Sequence, residues 1–307
     1  VATVFLGTSA FAAAVLATLA ESGPERPALV ITRPDRPRGR GRRLAPPPVA
    51  VRARELGLTV EQPASVNDPA AVELIGRALQ DGGERPAVVV CAFGALIREP
   101  LLSAQEILNV HPSLLPRWRG AAPIERAIMA GDAVTGVSIM RLTAGLDSGP
   151  VCLAQEEPIA PGDTYATLAG RLQDVAGPLL LRSLRERPAF AEQPEEGVTY
   201  AEKIGPADRL LDPARPAVEL ERAVRALNPH IGARAELAEG ELLGVWRAAL
   251  FAGADPPAGG PPLQVLDGRL VLRCSEGALE LLEVQPAGGR AMAAADYLRG
   301  RPGAGRA

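Results

Sequence analysis

Through the first 180 residues, short β-branched and aliphatic runs alternate with longer stretches whose apolar positions recur at helical spacing. The short runs predict strands at 3–6, 28–32, 58–61, 87–92, 107–110, 136–141 and 151–156, and the longer ones predict helices at 11–21, 49–56, 70–80 and 124–130. A long helix over 165–185 closes this part of the chain. Such alternation defines the α/β class, here a Rossmann-like, doubly wound, mostly parallel sheet covered by helices. In sheets of this kind ligands bind beyond the carboxyl ends of the strands, so chemistry is expected in the segments just after them.

From 188 to 216 the text turns rich in Pro and Glu and loses its period, which predicts a linker. One helix at 217–227 follows, and then five short strands at 232–237, 242–249, 263–266, 269–274 and 278–284, separated by Gly, Pro, Asp and Asn. That density of strands predicts a small closed or partly closed β-barrel of the oligonucleotide-binding type. The Gly- and Pro-rich stretch 253–262 reads as a loop between strands, and 300–307 as a frayed tail. The expected organisation is a catalytic domain over 1–187, a linker over 188–208 and a C-terminal barrel domain over 209–307.

Composition narrows the function classes. With 47% hydrophobic residues in 307, the chain builds packed cores, and disorder as its main state is excluded. Aromatic residues make up only 3%, which argues against a surface that stacks many bases on rings. Cys91, Cys152 and Cys274 are odd in number and far apart, giving neither a disulfide framework nor zinc-type pairs. His111 and His230 are the only histidines, so no metal is expected. No basic leader precedes the first apolar segment and no long apolar run follows, which predicts a cytoplasmic, soluble protein without a membrane partner.

A net charge of −3 hides a concentrated cationic window in which Arg33, Arg36, Arg38, Arg40, Arg42 and Arg43 are opposed by Asp35 alone. Lacking apolar periodicity, the window predicts a mobile loop on the same edge of the sheet as His111. An arginine run can be simply a solvated face; placed there, it also suits a large phosphate-bearing substrate gripped by guanidinium forks. From residue 209 onward acids and arginines balance at 12 each, so strong electrostatic binding by the barrel alone is not expected.

The richest segment is Asn109-Val110-His111-Pro112-Ser113-Leu114-Leu115-Pro116-Arg117-Trp118-Arg119-Gly120. Asn109 and His111 stand two apart at the end of an apolar strand, so both side chains leave one face where such a sheet keeps its site. By themselves they are equally a strand cap. Asp147, in Gly145-Leu146-Asp147-Ser148-Gly149 after the next strand, is by itself a common Asx-turn residue. Together, an amide, an imidazole and a carboxylate suit oxyanion stabilisation with proton transfer, which is acyl transfer without a protein nucleophile. No G-x-S-x-G elbow, dinucleotide fingerprint or Walker loop offers another chemistry.

The run 109–124 and the motif 145–149 closely resemble the folate-dependent formyltransferases. The arginine loop, Leu227-Asn228-Pro229 and Gln285-Pro286-Ala287-Gly288 resemble the members whose acceptor is a charged tRNA. The resemblance covers nearly the whole chain. It implies transfer of a formyl group from 10-formyltetrahydrofolate to the α-amino group of methionine on initiator methionyl-tRNA, through a tetrahedral intermediate and without a metal. By matching position it implies catalytic roles for Asn109, His111 and Asp147, a folate site at Ser113, Leu114, Leu115 and Pro116, and tRNA contacts at Arg38, Arg40, Arg42 and Arg43. A monomer is implied too. The chain departs from the usual pattern at Ser9, Ala10 and Phe93, and at His230 and Ile231, which makes His230 structural rather than catalytic. A formyltransferase for an amino-sugar or a nucleotide amine, or a formyltetrahydrofolate hydrolase, would keep the same three residues. A non-catalytic RNA-binding protein would keep only the loop and barrel.

Overall fold

The computed structural model describes residues 3–38, 41, 43–80, 86–237, 240–254, 256–257 and 260–300. The chain forms two compact units. The first comprises Val1–Pro123, Val134–Pro158 and Ala169–Ala201; the second comprises Ile124–Ala133, Ile159–Leu168 and Glu202–Ala307.

In chain order the elements of the first part are β1 (Thr3–Gly7), α1 (Ala10–Glu21), β2 (Pro27–Ile31), β3 (Arg36–Arg38), β4 (Arg43–Ala45), α2 (Pro48–Glu55), β5 (Val60–Glu61), α3 (Pro69–Gln80), β6 (Ala87–Cys91), α4 (Leu101–Ala104), β7 (Ile107–His111), β8 (Arg119–Gly120), α5 (Pro123–Ala130), β9 (Val134–Arg141), β10 (Val151–Pro158), α6 (Tyr165–Glu186) and β11 (Tyr200–Ala201). Seven of the strands form one sheet in the order β10-β9-β7-β6-β1-β2-β5. The five from β7 to β5 run parallel, while β9 pairs antiparallel with both β7 and β10. This is the doubly wound, mostly parallel architecture that the alternating pattern predicts.

Every residue of β1, β6 and β7 is buried, as expected of strands covered on both faces. Helix α1 begins on Ser9, whose hydroxyl accepts from Ala12 N at 3.2 Å, and buries Phe11, Val15, Leu16 and Leu19. Helix α3 buries Ala71, Ile75 and Leu79, one stripe at i, i+4 spacing. Leu6, Ile31, Val88 and Ile107 complete the apolar layer with Ile75 and Leu79.

One expectation fails here. The arginine window is a hairpin rather than an irregular loop: β3 and β4 pair antiparallel, with Arg36 opposite Ala45 and Arg38 opposite Arg43. Strand pairing needs only backbone donors and acceptors, so a stretch of Arg, Pro and Gly can pair without an apolar period. Gly39, Arg40 and Arg42, and residues 301–307, lie outside the described residues. Gln62 holds the base of the hairpin, donating to Arg33 O at 2.9 Å and to Asp35 Oδ1 at 2.8 Å.

The second unit contains a short 3-10 turn (Ala207–Arg209), α7 (Ala217–Leu227), β12 (Ala233–Glu236), β13 (Leu242–Leu250), β14 (Leu263–Leu266), β15 (Arg269–Arg273), β16 (Ala278–Gln285), β17 (Met292–Ala293) and α8 (Ala294–Arg299). Its antiparallel sheet runs β12-β13-β16-β15-β14, with β17 added beside the end of β16. Register shifts at Val245, Arg247 and Ala248 let the long β13 bend. The sheet curls into a half-barrel, the partly closed form of the expected barrel. Leu220, Val224 and Leu227 of α7 share its core with Leu243, Val245, Leu270, Leu272, Leu279 and Leu281.

Candidate active site

Strand β7 reads Ile-Leu-Asn-Val-His and reaches one residue further than its apolar run suggests, to include His111. Asn109 and His111 are 7% and 4% exposed. Buried polar groups need partners, and both find the same one. Asn109 Nδ2 donates to Asp147 Oδ1 at 3.2 Å, and His111 Nδ1 stands 3.7 Å from Asp147 Oδ2. A third donor, Gly120 N, reaches Asp147 Oδ2 at 2.9 Å. The loop between β9 and β10 therefore brings Asp147 to the end of β7, so the sequence-identified residues Asn109, His111 and Asp147 form one cluster.

The other ring nitrogen fixes the histidine. His111 Nε2 lies 2.8 Å from the Trp118 carbonyl oxygen, which can only accept. The neutral ring therefore carries its proton on Nε2, and Nδ1 faces the carboxylate. In the imidazolium the carbonyl takes Nε2–H, while Nδ1–H faces Asp147 from 3.7 Å, beyond hydrogen-bond distance.

The segment after His111 folds back tightly. The Ser113 hydroxyl donates to Arg117 O at 2.6 Å, and Ser138 on β9 bridges the loop, donating to Ser113 O at 2.8 Å and accepting from Leu115 N at 3.1 Å. Ser113 is fully buried, so its side chain shapes the loop, while Leu114, Leu115 and Pro116 are half-buried. The Leu115–Pro116 peptide is cis.

A strand from the stretch read as a linker straps this loop in place. β11 lies parallel to β8, with Tyr200 opposite Arg119 and Ala201 opposite Gly120. Thr199 accepts from Trp118 N through its hydroxyl at 2.9 Å and from Arg119 N through its carbonyl at 2.9 Å. Gly120 has φ +124°, and a Cβ there would sit 2.7 Å from Ala201 O, so only glycine fits. Gln193 joins the strap to both sides of the cluster: Nε2 donates to Asp147 O at 2.8 Å and Gly149 O at 2.7 Å, and Oε1 accepts from Arg119 Nε and Nη2 at 2.9 and 2.7 Å. Sequence reasoning missed Gln193, Thr199, Gly120 and Ser138. For Gln193 and Thr199 the local text pointed the other way, toward a linker.

At the carboxyl ends of β1, β2 and β6 lies a cleft of about 340 Å3, lined by Thr8, Arg33, Arg36, the prolines 46–48 and Phe93 among others. The Thr8 hydroxyl donates to Phe93 O at 2.7 Å, and Arg33 Nη1 donates to Gly94 O at 2.6 Å. Of the four arginines matched to tRNA contact, Arg43 is exposed on β4; Arg40, Arg42 and the Arg38 side chain lie outside the described part. In the second unit, His230 stacks on Tyr165 with ring centroids 3.7 Å apart, and its Nε2 meets Glu125 Oε1 at 2.9 Å. Burial, reinforced by the Glu125 charge, pushes the Tyr165 phenol up to about 12. Among the described residues no three His, Cys, Asp or Glu side chains group as a metal site would need.

The chain thus carries an amide–imidazole–carboxylate cluster at the carboxyl end of β7 in a doubly wound sheet, followed by a half-barrel. Residues 1–184 match the formyl transferase family, and residues 203–302 match its C-terminal domain. The methionyl-tRNA formyltransferase of Dechloromonas aromatica is 43% identical over 302 residues, covering 97% of this chain and 95% of that protein. That of Halorhodospira halophila is 44% identical, covering 97% and 96%. The chain belongs to the methionyl-tRNA formyltransferase family. Two solved structures share the fold. The N-formyltransferase from Helicobacter canadensis, in complex with folinic acid and dTDP-3-aminofucose, has a TM-score of 0.64 at 13% identity, covering 91% of this chain and 98% of that one. The methionyl-tRNA formyltransferase from Clostridium thermocellum has a TM-score of 0.59 at 14% identity, covering 82% and 94%.

Proposed function

We propose that this protein transfers the formyl group of 10-formyltetrahydrofolate to the α-amino group of methionine on initiator methionyl-tRNA, in the cytoplasm and as a monomer. The observation that carries this reading is the burial of Asn109 and His111 at the end of β7, both turned to the Asp147 carboxylate. Family membership supplies the substrate class.

In this reading the neutral methionyl amine attacks the formyl carbon. Asn109 spends one amide N–H on Asp147 and has a second for the oxyanion, and protonated His111 contributes its Nδ1–H. Asp147 faces the imidazolium and orients the path that carries the amine proton to N10 of the leaving folate. One bond forms between methionyl nitrogen and carbonyl carbon, the carbon–N10 bond breaks, and the proton lost at nitrogen ends on N10. The loop of Ser113, Leu114, Leu115 and Pro116 seats the donor. Arg38 and Arg43, on a hairpin next to a cleft edged by Arg33 and Arg36, grip the acceptor end together with Arg40 and Arg42.

The test is formyl transfer from 10-formyltetrahydrofolate to initiator methionyl-tRNA, with elongator methionyl-tRNA and a no-acceptor control alongside. Product on initiator tRNA supports the reading. Folate turnover without tRNA product makes the protein a hydrolase or moves the acceptor elsewhere.

A further inference from the structure

We infer that Gln193 is a positioning residue for the Asp147 carboxylate, acting through the backbone of the 145–149 turn and through Arg119. The inference rests on the catalytic reading of Asp147. Asp147 sits at φ +43°, a left-handed conformation uncommon outside glycine and more open to Asp than to most residues. The two carbonyls of that turn, Asp147 O and Gly149 O, each take one N–H from the Gln193 amide, at 2.8 and 2.7 Å.

The other end of the amide sets the second restraint. Gln193 Oε1 receives two N–H groups from the Arg119 guanidinium, and Arg119 precedes Gly120, the residue whose N–H holds Asp147 Oδ2. Arginine only donates and carbonyls only accept, so the amide has one orientation here, with every polar position used. One side chain thus ties together the turn that carries Asp147 and the strand that supplies its backbone donor. Asn109, the third member, approaches the other carboxylate oxygen from β7 and owes nothing to Gln193. Loss of Gln193 therefore frees the turn carbonyls and the Arg119 side chain, and leaves the approaches of Asn109 and His111 to the carboxylate in place.

A positional error of about 1 Å at a reacting group costs on the order of 100-fold in rate. Gln193→Ala removes both donors. Gln193→Glu keeps the size and the acceptor for Arg119, yet sets a carboxylate oxygen against two carbonyls. Each variant is measured alone and combined with Asp147→Asn, under single-turnover conditions with saturating donor and initiator methionyl-tRNA, after circular dichroism has established folding. Should Gln193→Ala fail to fold, Gln193→Glu carries the test. The expected result is a rate lower by about 10- to 100-fold for each single variant, with the KM values of donor and tRNA within about twofold of wild type. In the Asp147→Asn background the same changes should cost no more than about twofold, because the group they position is already gone. Independent, multiplying losses would overturn the inference, as would a raised KM at unchanged rate. Asp147→Asn at the wild-type rate would instead remove the catalytic reading, and this inference with it.

Discussion

At the scale of single residues, His111 has the most to lose. Its ring is held by the Trp118 carbonyl at Nε2, and Nδ1, 3.7 Å from the Asp147 carboxylate, keeps the one N–H that the proposed reaction offers a developing oxyanion. Removing one such donor costs roughly 10²–10³ in turnover, so His111→Ala should fall by that factor with the tRNA KM nearly unchanged; near-normal steady-state turnover would sink the assignment. This residue was legible in the sequence because strand periodicity alone puts Asn109 and His111 on one face at a strand end. Asp147 was legible through its flanking glycines. Gly120 was not: the need for glycine there comes from Ala201, far along the chain, whose carbonyl oxygen would lie 2.7 Å from any Cβ at that position, and no local pattern encodes that. Gln193 was hidden for the same reason, since its partners lie 44 to 74 residues away.

At the scale of elements, the loop after β7 depends on its neighbour β9 for shape. Ser138 is fully buried, and its hydroxyl both donates to Ser113 O and accepts from Leu115 N. Ser138→Ala leaves a carbonyl and an N–H without partners in a closed site, which costs about 1–3 kcal/mol. Denaturant unfolding should show that loss, and steady-state kinetics should show a raised KM for the formyl donor with tRNA binding retained. An unchanged donor KM would mean that the loop keeps its shape without the bridge. Strands and helices with strong periods were read to within one or two residues at most ends, because burial on both faces leaves an unbroken apolar run. Elements held mainly by backbone pairing escaped: the β3–β4 hairpin, the two-residue β8 and β11, and β17. Their side chains carry no period to find.

At the scale of the whole molecule, charge does two separate jobs, one in stability and one in binding. Glu25, in the turn before β2, is buried and pairs with Arg185 near the end of α6 through two contacts at 3.0 and 2.9 Å. The Arg185 hydrogen bonds hold its carboxyl below the ordinary 4.5, against the opposing effect of burial. A lowered acid adds stability above the pKa of the unfolded chain, and that stability is lost as pH falls through the folded value. Glu25→Gln should therefore lower Tm near neutral pH, with the gap to wild type closing as pH drops below about 4; a gap constant with pH would rule out the ion pair as its cause.

The proposed tRNA binding rests on a different set of charges. The net charge of −3 and the even balance beyond residue 209 leave the arginine hairpin as the concentrated cation of the chain. Phosphate contacts release counterions, so the logarithm of tRNA affinity should fall linearly with the logarithm of salt concentration. Each arginine that touches a phosphate adds about one unit to that slope. Arg43→Ala should accordingly raise the tRNA KM at moderate salt and flatten the slope by about one, while the KM for 10-formyltetrahydrofolate, which the loop after β7 is proposed to seat, stays the same. Kinetics at four or five salt concentrations decide the matter. An unchanged slope would return Arg43 to a solvated face, and an effect confined to the folate KM would move the hairpin from the tRNA to the donor.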